Sequence, residues 1–293
     1  MKEAINSKTI WSAPKWNLIK LKINLSASNL FVYVAGMIVL FIVACALFPQ
    51  WIAPYSPTHM HTEFILSPPS ALHLLGTDYF GRDVLSLVVY GSRDSLIIGV
   101  VSVLIGGGIG GGLGALAGYV GGVVDMIFMR FTDILMTIPG ILLALAIAAA
   151  LGPSLMNVVL AVAVSSIPGY TRVMRGQMMS IKKRQFVVAS RSIGTPNWRI
   201  LIWHILPNSW SPLLVMATIG LGTSILVGSG LSFLGLGVIK EIPDWGALLA
   251  QGRGYLTTGW WISTFPGLAI TLFVLSVNII GDKLRDMYDP KTK

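Results

Sequence analysis

The side chains of this chain that could carry chemistry are few and unevenly placed. Between Thr171 and Asn208 stand seven basic residues, Arg172, Arg175, Lys182, Lys183, Arg184, Arg191 and Arg199, and no acidic one. Such a run either offers a docking surface or does no more than hold a loop on the inner side of a membrane. His59, His61 and His73 lie in a polar, Pro-rich stretch from 53 to 94, together with Gly76-Thr77-Asp78-Tyr79-Phe80-Gly81-Arg82-Asp83. The histidine spacing fits no usual metal-ligand pattern, so a loop role is expected and no metal site is assigned. The glycines and acids of the second run suit a tight turn. Gly106, Gly110, Gly114 and Gly118 recur every four residues. A phosphate loop would need a Lys-Ser/Thr pair after them, and none follows. On an apolar helix, small residues at that interval let a second helix come close, so a packing role is expected. His204, beside Trp203, is expected to be a packing or interfacial residue rather than a proton relay.

What is missing narrows the function. No Ser/His/Asp or paired-carboxylate arrangement stands out, and there is no nucleotide-binding loop. The chain is therefore expected not to be an enzyme and to bind no cofactor itself. Cys45 is the only cysteine, so no disulfide framework and no cysteine metal site is available. Ile42-Val43-Ala44-Cys45 has the form of a lipoprotein cleavage box, but the apolar run around it is long enough to span a membrane and further runs follow.

The elements that must position these residues are helices in lipid. The chain has 293 residues, 54% apolar and 11% charged, against about 25% charged in soluble proteins. An all-α integral membrane fold with six transmembrane helices is expected. A basic segment, 1–29, precedes a first span at 30–52, and Lys15–Lys22 could lie along a membrane surface. An external segment occupies 53–94, where 84–90 is expected to form a short interfacial helix. A second span runs from Ser95 to Val124. Asp125, Arg130 and Asp133 then fall in a short loop, with a local ion pair expected among them. From Ile134 to Thr171 no charge occurs over 38 residues, about 57 Å as one helix and too long for a bilayer. Gly152-Pro153-Ser154 is read as dividing it into spans at 135–151 and 155–172. A fifth span is expected at Ser211–Gly237 and a sixth at Ile262–Ile280, so that 95–281 forms a five-helix core followed by a tail at 282–293. With both termini cytoplasmic, inner segments hold 17 basic residues and outer ones four. This asymmetry sets the topology and explains the net charge of +9 without nucleic acid.

By this reading no span interior carries Asp, Glu, Lys or Arg, which ion-coupled carriers use near the midplane. The chain reads as a pathway without its own engine, and the basic loop at 173–208 is where an engine would attach. That loop has built-in turn chemistry. Gln185 to Ile193 holds no Gly or Pro and places Phe186, Ala189 and Ile193 at helical spacing. Gly194 can end a helix in the left-handed region, and Thr195-Pro196 reads as a cap followed by Pro at the first helical position. Two short helices meeting at Gly194 are expected, a pattern that favours docking over topology alone.

These residues resemble the EAA motif of permease subunits of bacterial ATP-binding-cassette importers, written E-A-A, three residues, G, nine residues, I-x-L-P. Val188-Ala189-Ser190 occupies the E-A-A positions, Gly194 the glycine and Leu206-Pro207 the closing L-P. Val188, Ser190 and His204 depart from the motif, which removes the Glu side chain while keeping the helix–Gly–helix shape. Gly76-Thr77-Asp78 with Gly81-Arg82-Asp83, Ser232–Gly237, Asp244-Trp245-Gly246, Phe265-Pro266-Gly267 and Gly281–Asp286 are similar to the dipeptide, oligopeptide and nickel group of that family. The resemblance covers about residues 25 to 290. It implies a type I importer core of five helices preceded by one extra helix, in the bacterial inner membrane. It further implies a second homologous permease, two cytoplasmic ATPase subunits that bind ATP and Mg, and an external solute-binding protein. Nickel or metal-chelate import is the alternative within the group. A self-contained ion-coupled carrier is the competitor from another class.

Overall fold

The computed structural model describes residues 27–288. The Lys15–Lys22 stretch, the rest of the basic start, and Lys291 and Lys293 lie outside the described residues. Apart from one isolated bridge between Thr77 and Asp83, the regular elements among the described residues are helical. They are α1 (Ala27–Leu47), α2 (Pro49–Ile52), α3 (Val84–Val120), α4 (Gly122–Met136), α5 (Gly140–Leu151), α6 (Leu155–Lys182), α7 (Gln185–Ser192), α8 (Asn197–Ile200), α9 (Leu206–Phe233), α10 (Trp245–Gly252) and α11 (Trp261–Tyr288), with short single turns between some of them.

Four helical runs are long and apolar enough to cross a membrane: Leu30–Leu47, Val84–Val120, Asn197–Phe233 and Trp261–Met287. Counting α4 and α5 as one span broken by an 87° bend gives a fifth. Their outward faces are apolar as well, with Phe31, Met37, Leu40 and Phe41 of α1 and Leu104 of α3 all exposed. That is the surface of a body solvated by lipid, where backbone groups must be satisfied within each helix.

Helix α6 runs through the middle, packed on α3, α5 and α9. The close approach to α3 comes from the glycine stripe. A Cβ added to Gly106 would lie 2.8 Å from the Ala163 carbonyl oxygen, one on Gly110 2.6 Å from that of Ile167, and one on Gly114 2.3 Å from that of Thr171. On Gly118 it would lie 2.8 Å from the carbonyl oxygen of Arg175. All four glycines of the stripe therefore face the α6 backbone. Toward one end, Ala144 and Ala148 of α5 pack with Val158, Val159 and Val162 of α6; toward the other, Met174, Met178 and Ile181 of α6 join Val187, Ile200 and Ile205.

Several helices differ from the sequence expectation, each for a physical reason. Residues 84–90 and the second span form one helix, because nothing between them breaks it; Gly91 is a contact point whose Cβ would lie 2.7 Å from the Pro243 carbonyl oxygen. Asp125, Arg130 and Asp133 lie within α4, not in a loop, and the expected local pair does not form. Asp125 instead takes a bidentate contact from Arg175 of α6 at 2.5 and 2.6 Å, and Asp133 one from Arg172 at 2.6 Å. Pro139 separates α4 from α5, so 135–151 is not one straight span; α5 has 12 residues, about 18 Å of helix. Helix α6 passes the expected end at 172 and continues to Lys182, since no proline follows Pro168 in that stretch and a single glycine, Gly176, is tolerated inside a helix.

At the Val84 end, the polar stretch folds into a clasp. Gly81 (φ +76°) leaves a gap that a Cβ could not occupy, 2.1 Å from the His61 carbonyl oxygen. Asp78 accepts from the Phe80 and Arg82 amides and from Arg82 Nε at 2.7 Å, while Arg82 Nη1 donates to the Glu241 carbonyl at 2.9 Å. Asp83 caps α3 by accepting from the Ser86 amide and hydroxyl at 2.8 Å, and its other oxygen lies 3.0 Å from His73 Nδ1. The Thr77 hydroxyl donates to the Phe64 carbonyl, and Trp261 Nε1 donates to the Thr77 carbonyl at 2.9 Å, fastening the clasp to α11. The His59 and His61 rings meet at this surface at a tilt of 53°, with Nδ1 of one 3.1 Å from Nε2 of the other, and no cluster of metal-binding side chains occurs among the described residues.

Candidate functional site

At the opposite end, α7 and α8 form a projecting knuckle. Val187 is fully buried against α6 and anchors α7, while Val188 and Ala189 beside it are exposed. The helix ends in a Schellman turn: the Gly194 amide donates to the Arg191 carbonyl at 3.0 Å and the Thr195 amide to the Ser190 carbonyl at 3.2 Å. Gly194 has φ +81° and nothing within 4 Å of its Cβ position, so conformation, and not crowding, calls for glycine. Thr195 is half-buried but does not cap the next helix. Pro196 takes the cap position with no side-chain hydrogen bond.

The second helix is not short. From Asn197 it runs through a π turn at Leu201–Ile205 into α9, so the span begins well before Ser211. The π turn immediately precedes Pro207, whose ring excludes an ordinary i−4 hydrogen bond. Leu206 joins the buried cluster around Val187, and Pro207 is exposed in the first turn of α9. Residues 188–196 thus share the projecting turn, while Leu206 and Pro207 belong to the helix that carries it.

Two side chains fix the knuckle to the core. Lys182 of α6 donates to the Tyr119 carbonyl at 2.6 Å, satisfying the C-terminal end of α3, and the Tyr119 hydroxyl donates to the Asn197 carbonyl at 2.7 Å. Around the turn stands an exposed apolar face: Val188 is 53% exposed, Ile193 83%, Trp198 57% and Trp203 69%. Arg184, Arg191 and Arg199 flank it, and Arg199 lies over the Trp198 ring at 5.4 Å. An apolar patch rimmed by cations is the make-up of a protein-docking surface. The sequence reading identified the turn but not the exposed tryptophans, which occupy unspecified positions in the motif's nine-residue spacer.

A second feature lies between helices. The α4–α5 bend and the facing sides of α6 and α9 enclose a chamber of about 470 Å³. Its polar lining comes from Ser165, Ser166, Thr223 and Ser224, and no charged side chain lines it. Tyr170 also lines it and buries a hydroxyl with no hydrogen-bond partner among the described residues. Next to it toward the knuckle, α6, α9 and α11 border a cleft of about 560 Å³ with Gln177, Arg184, Asn208, Ser211 and Arg285 on its walls. The paired hydroxyl residues at 165–166 and 223–224 are visible in the sequence as polar breaks in apolar spans, but only the fold brings both pairs to the wall of one cavity.

Residues 110–293 match the family model described as binding-protein-dependent transport system inner membrane component. The chain is 43% identical over 277 residues to the probable D,D-dipeptide transport system permease protein DdpC of Escherichia coli, covering 94% of this chain and 93% of that protein. It is 45% identical over 266 residues to the di/tripeptide transport system permease protein DppC of Pseudomonas aeruginosa, covering 88% and 87%. Glutathione transport system permease protein GsiD of Escherichia coli is 43% identical over 260 residues, covering 88% and 86%. Among solved structures, an inward-facing form of the MetNI methionine ABC transporter superposes with a TM-score of 0.58 at 21% identity, covering 70% of this chain and 98% of that one. The shared fold is that of an importer permease.

Proposed function

Because the chain belongs to the binding-protein-dependent transport system inner membrane components, we propose that it forms one half of the path of an ATP-driven importer of di- or oligopeptides. It is a multi-pass inner-membrane permease, and the hydrolysis of ATP belongs to partner subunits. The observation that carries the peptide reading is the near full-length similarity to permeases of dipeptide, tripeptide and glutathione systems. No observation favours the nickel alternative over it.

The partners follow from chemistry on the surface. One of two cytoplasmic ATPases would receive the knuckle at Val188, Ala189, Ser190, Gly194, Thr195 and Pro196, with Leu206 and Pro207 carrying it into the span, and the other would serve the second permease. A homologous permease would close the open sides of the chamber, and a solute-binding protein would deliver peptide at the clasp. Six crossings result if α6 is added to the four long runs and the broken pair. Its 28 residues give about 42 Å of helix, and most of its polar residues (Thr171, Arg172, Arg175, Gln177, Ser180 and Lys182) gather in its second half, toward the knuckle. The basic residues at the knuckle support a cytoplasmic position for that end.

The test is uptake of a labelled dipeptide into proteoliposomes holding the two permeases and two ATPases, with binding protein outside. Uptake is expected only with ATP inside. Uptake sustained by a proton or sodium gradient without ATP would overturn the reading in favour of a carrier.

A further inference from the structure

The hydroxyl-lined chamber and the arginine-bearing cleft share two wall residues, Met216 and Ile219. At this shared wall, Met216 of α9 rests on bare backbone of α6: a Cβ on Gly169 would lie 3.0 Å from the Met216 terminal methyl carbon. Met has three rotatable side-chain bonds and no branch, so it can swing aside with little strain. Both walls are also weakened at this level. Pro168, adjacent to Gly169, lies inside α6, and Pro212, one turn before Met216, lies inside α9. Each removes a hydrogen bond from its helix and marks a place where that helix can bend.

We propose that the chamber and the cleft are consecutive stations of this chain's half of the peptide path, and that Met216 laid across Gly169 is the constriction between them. The assignment rests on the importer reading for the identity of the solute, though not for the existence of the constriction. The chamber suits a small zwitterionic solute. It offers hydroxyls without a charge of either sign to trap one end, and its volume lies within the usual range for small-ligand sites, roughly 300–1,000 Å³. The Tyr170 hydroxyl, buried in the same wall, has no hydrogen-bond partner among the described residues. On the far side of Met216, Arg184 and Arg285 make no ion pair among the described residues. The cleft they border offers free positive charge to the carboxylate end of a departing peptide.

Thiol accessibility tests the constriction directly. Cys45, the only cysteine, is buried in α1 away from both cavities and is replaced by Ala. Single cysteines are then placed at Thr223 in the chamber and at Asn208 in the cleft. The assembled transporter, in inverted vesicles without nucleotide, receives a membrane-impermeant thiol reagent from the ATPase side. Asn208→Cys is expected to react rapidly whether Met216 is present or replaced by Ala, which also reports that the variant is folded. Thr223→Cys is expected to react slowly with Met216 present, and at least about tenfold faster with Met216→Ala. Equal Thr223→Cys rates with and without Met216, against an unchanged Asn208→Cys rate, overturn the constriction. ATP-driven dipeptide uptake by the parent, measured in parallel, separates the two readings: its absence sinks the importer assignment, while the thiol rates still decide the constriction.

Discussion

Replacing Gly114 with Ala tests whether the α3–α6 contact holds this fold together. The new Cβ would lie 2.3 Å from the Thr171 carbonyl oxygen and 2.9 Å from Met174 Cβ. A carbon and an oxygen settle at about 3.4 Å, so the helices must part by roughly 1 Å at this level. Neither neighbour can rotate away, because one is backbone and the other is the first atom of its side chain. The strain is felt one turn on, where Arg175 holds Asp125 at 2.5 and 2.6 Å, and at Lys182, which holds the end of α3 at 2.6 Å. Overpacking of this kind costs about 1–3 kcal/mol, a rise in the unfolded fraction of about 5-fold to 160-fold. Gly112 is the control: it has nothing within 4 Å of its Cβ position, so Gly112→Ala is expected to be neutral or to stabilise by up to about 1 kcal/mol through helix propensity. Thermal unfolding of the detergent-solubilised protein should rank Gly114→Ala below Gly110→Ala and Gly110→Ala below Gly118→Ala, following backbone gaps of 2.3, 2.6 and 2.8 Å. If Gly114→Ala melts together with Gly112→Ala, the stripe is not a packing surface and the reasoning fails.

Three further outcomes follow from the same geometry. Gly194→Val forces a β-branched residue to φ +81°, a local cost of at least about 1–2 kcal/mol. The chain is expected to insert while co-purification of the ATPases drops, and Gly194→Asn, which tolerates that conformation, should retain them; equal yields for Val and Gly would remove the docking role. Arg82→Met breaks an ion pair whose side chains are 5% and 1% exposed and is expected to cost about 3–5 kcal/mol, whereas Arg172→Met breaks one at 51% and 58% exposure and should cost less than about 1 kcal/mol. Melting curves of the two variants should differ accordingly. Burial pushes the Asp244 carboxyl up, against the pull of the Gly246 and Ala247 amides it caps. A carboxyl with a raised folded value contributes stability that is complete below its unfolded value and is lost as pH rises through the folded one. Asp244→Asn keeps a cap acceptor without the charge, so its melting temperature should fall less than the parent's as pH rises above about 4; parallel curves would show that Asp244 does not set this dependence.

The features legible in the sequence are those whose cause is local. Gly194 announced a helix end because a left-handed residue is a demand made by one position on its own backbone. The clasp glycines and Asp83 were readable for the same reason, and the stripe at 106–118 because its period is that of the helix. What escaped the reading depends on partners distant in sequence. Arg130 is the nearest cation to Asp125 and Asp133 along α4, yet Arg175 and Arg172 hold them, since the packing of α4 on α6 brings both guanidinium groups within hydrogen-bond distance of the two carboxylates. Hydropathy and length divided 134–171 at Gly152-Pro153, where a second punctuation, Pro139-Gly140, was equally present. Counting apolar residues cannot tell a crossing from a turn inside lipid.

That overlooked bend is what makes the chamber. A straight helix from Gly122 to Leu151 would run past α6 along one line, and the Asp125 and Asp133 contacts already fix its first half obliquely against Arg175 and Arg172. The 87° turn redirects α5 so that Ala144 and Ala148 pack on the Val158–Val162 face of α6. Leu135, Ile138 and Ile141 are left standing off from Ser165 and Thr223 around an open volume. Straightening that corner is therefore expected to remove the cavity while leaving the α3–α6 contact and the knuckle in place. The chamber and the α3–α6 scaffold are separable in this fold, and the separation lies at Pro139.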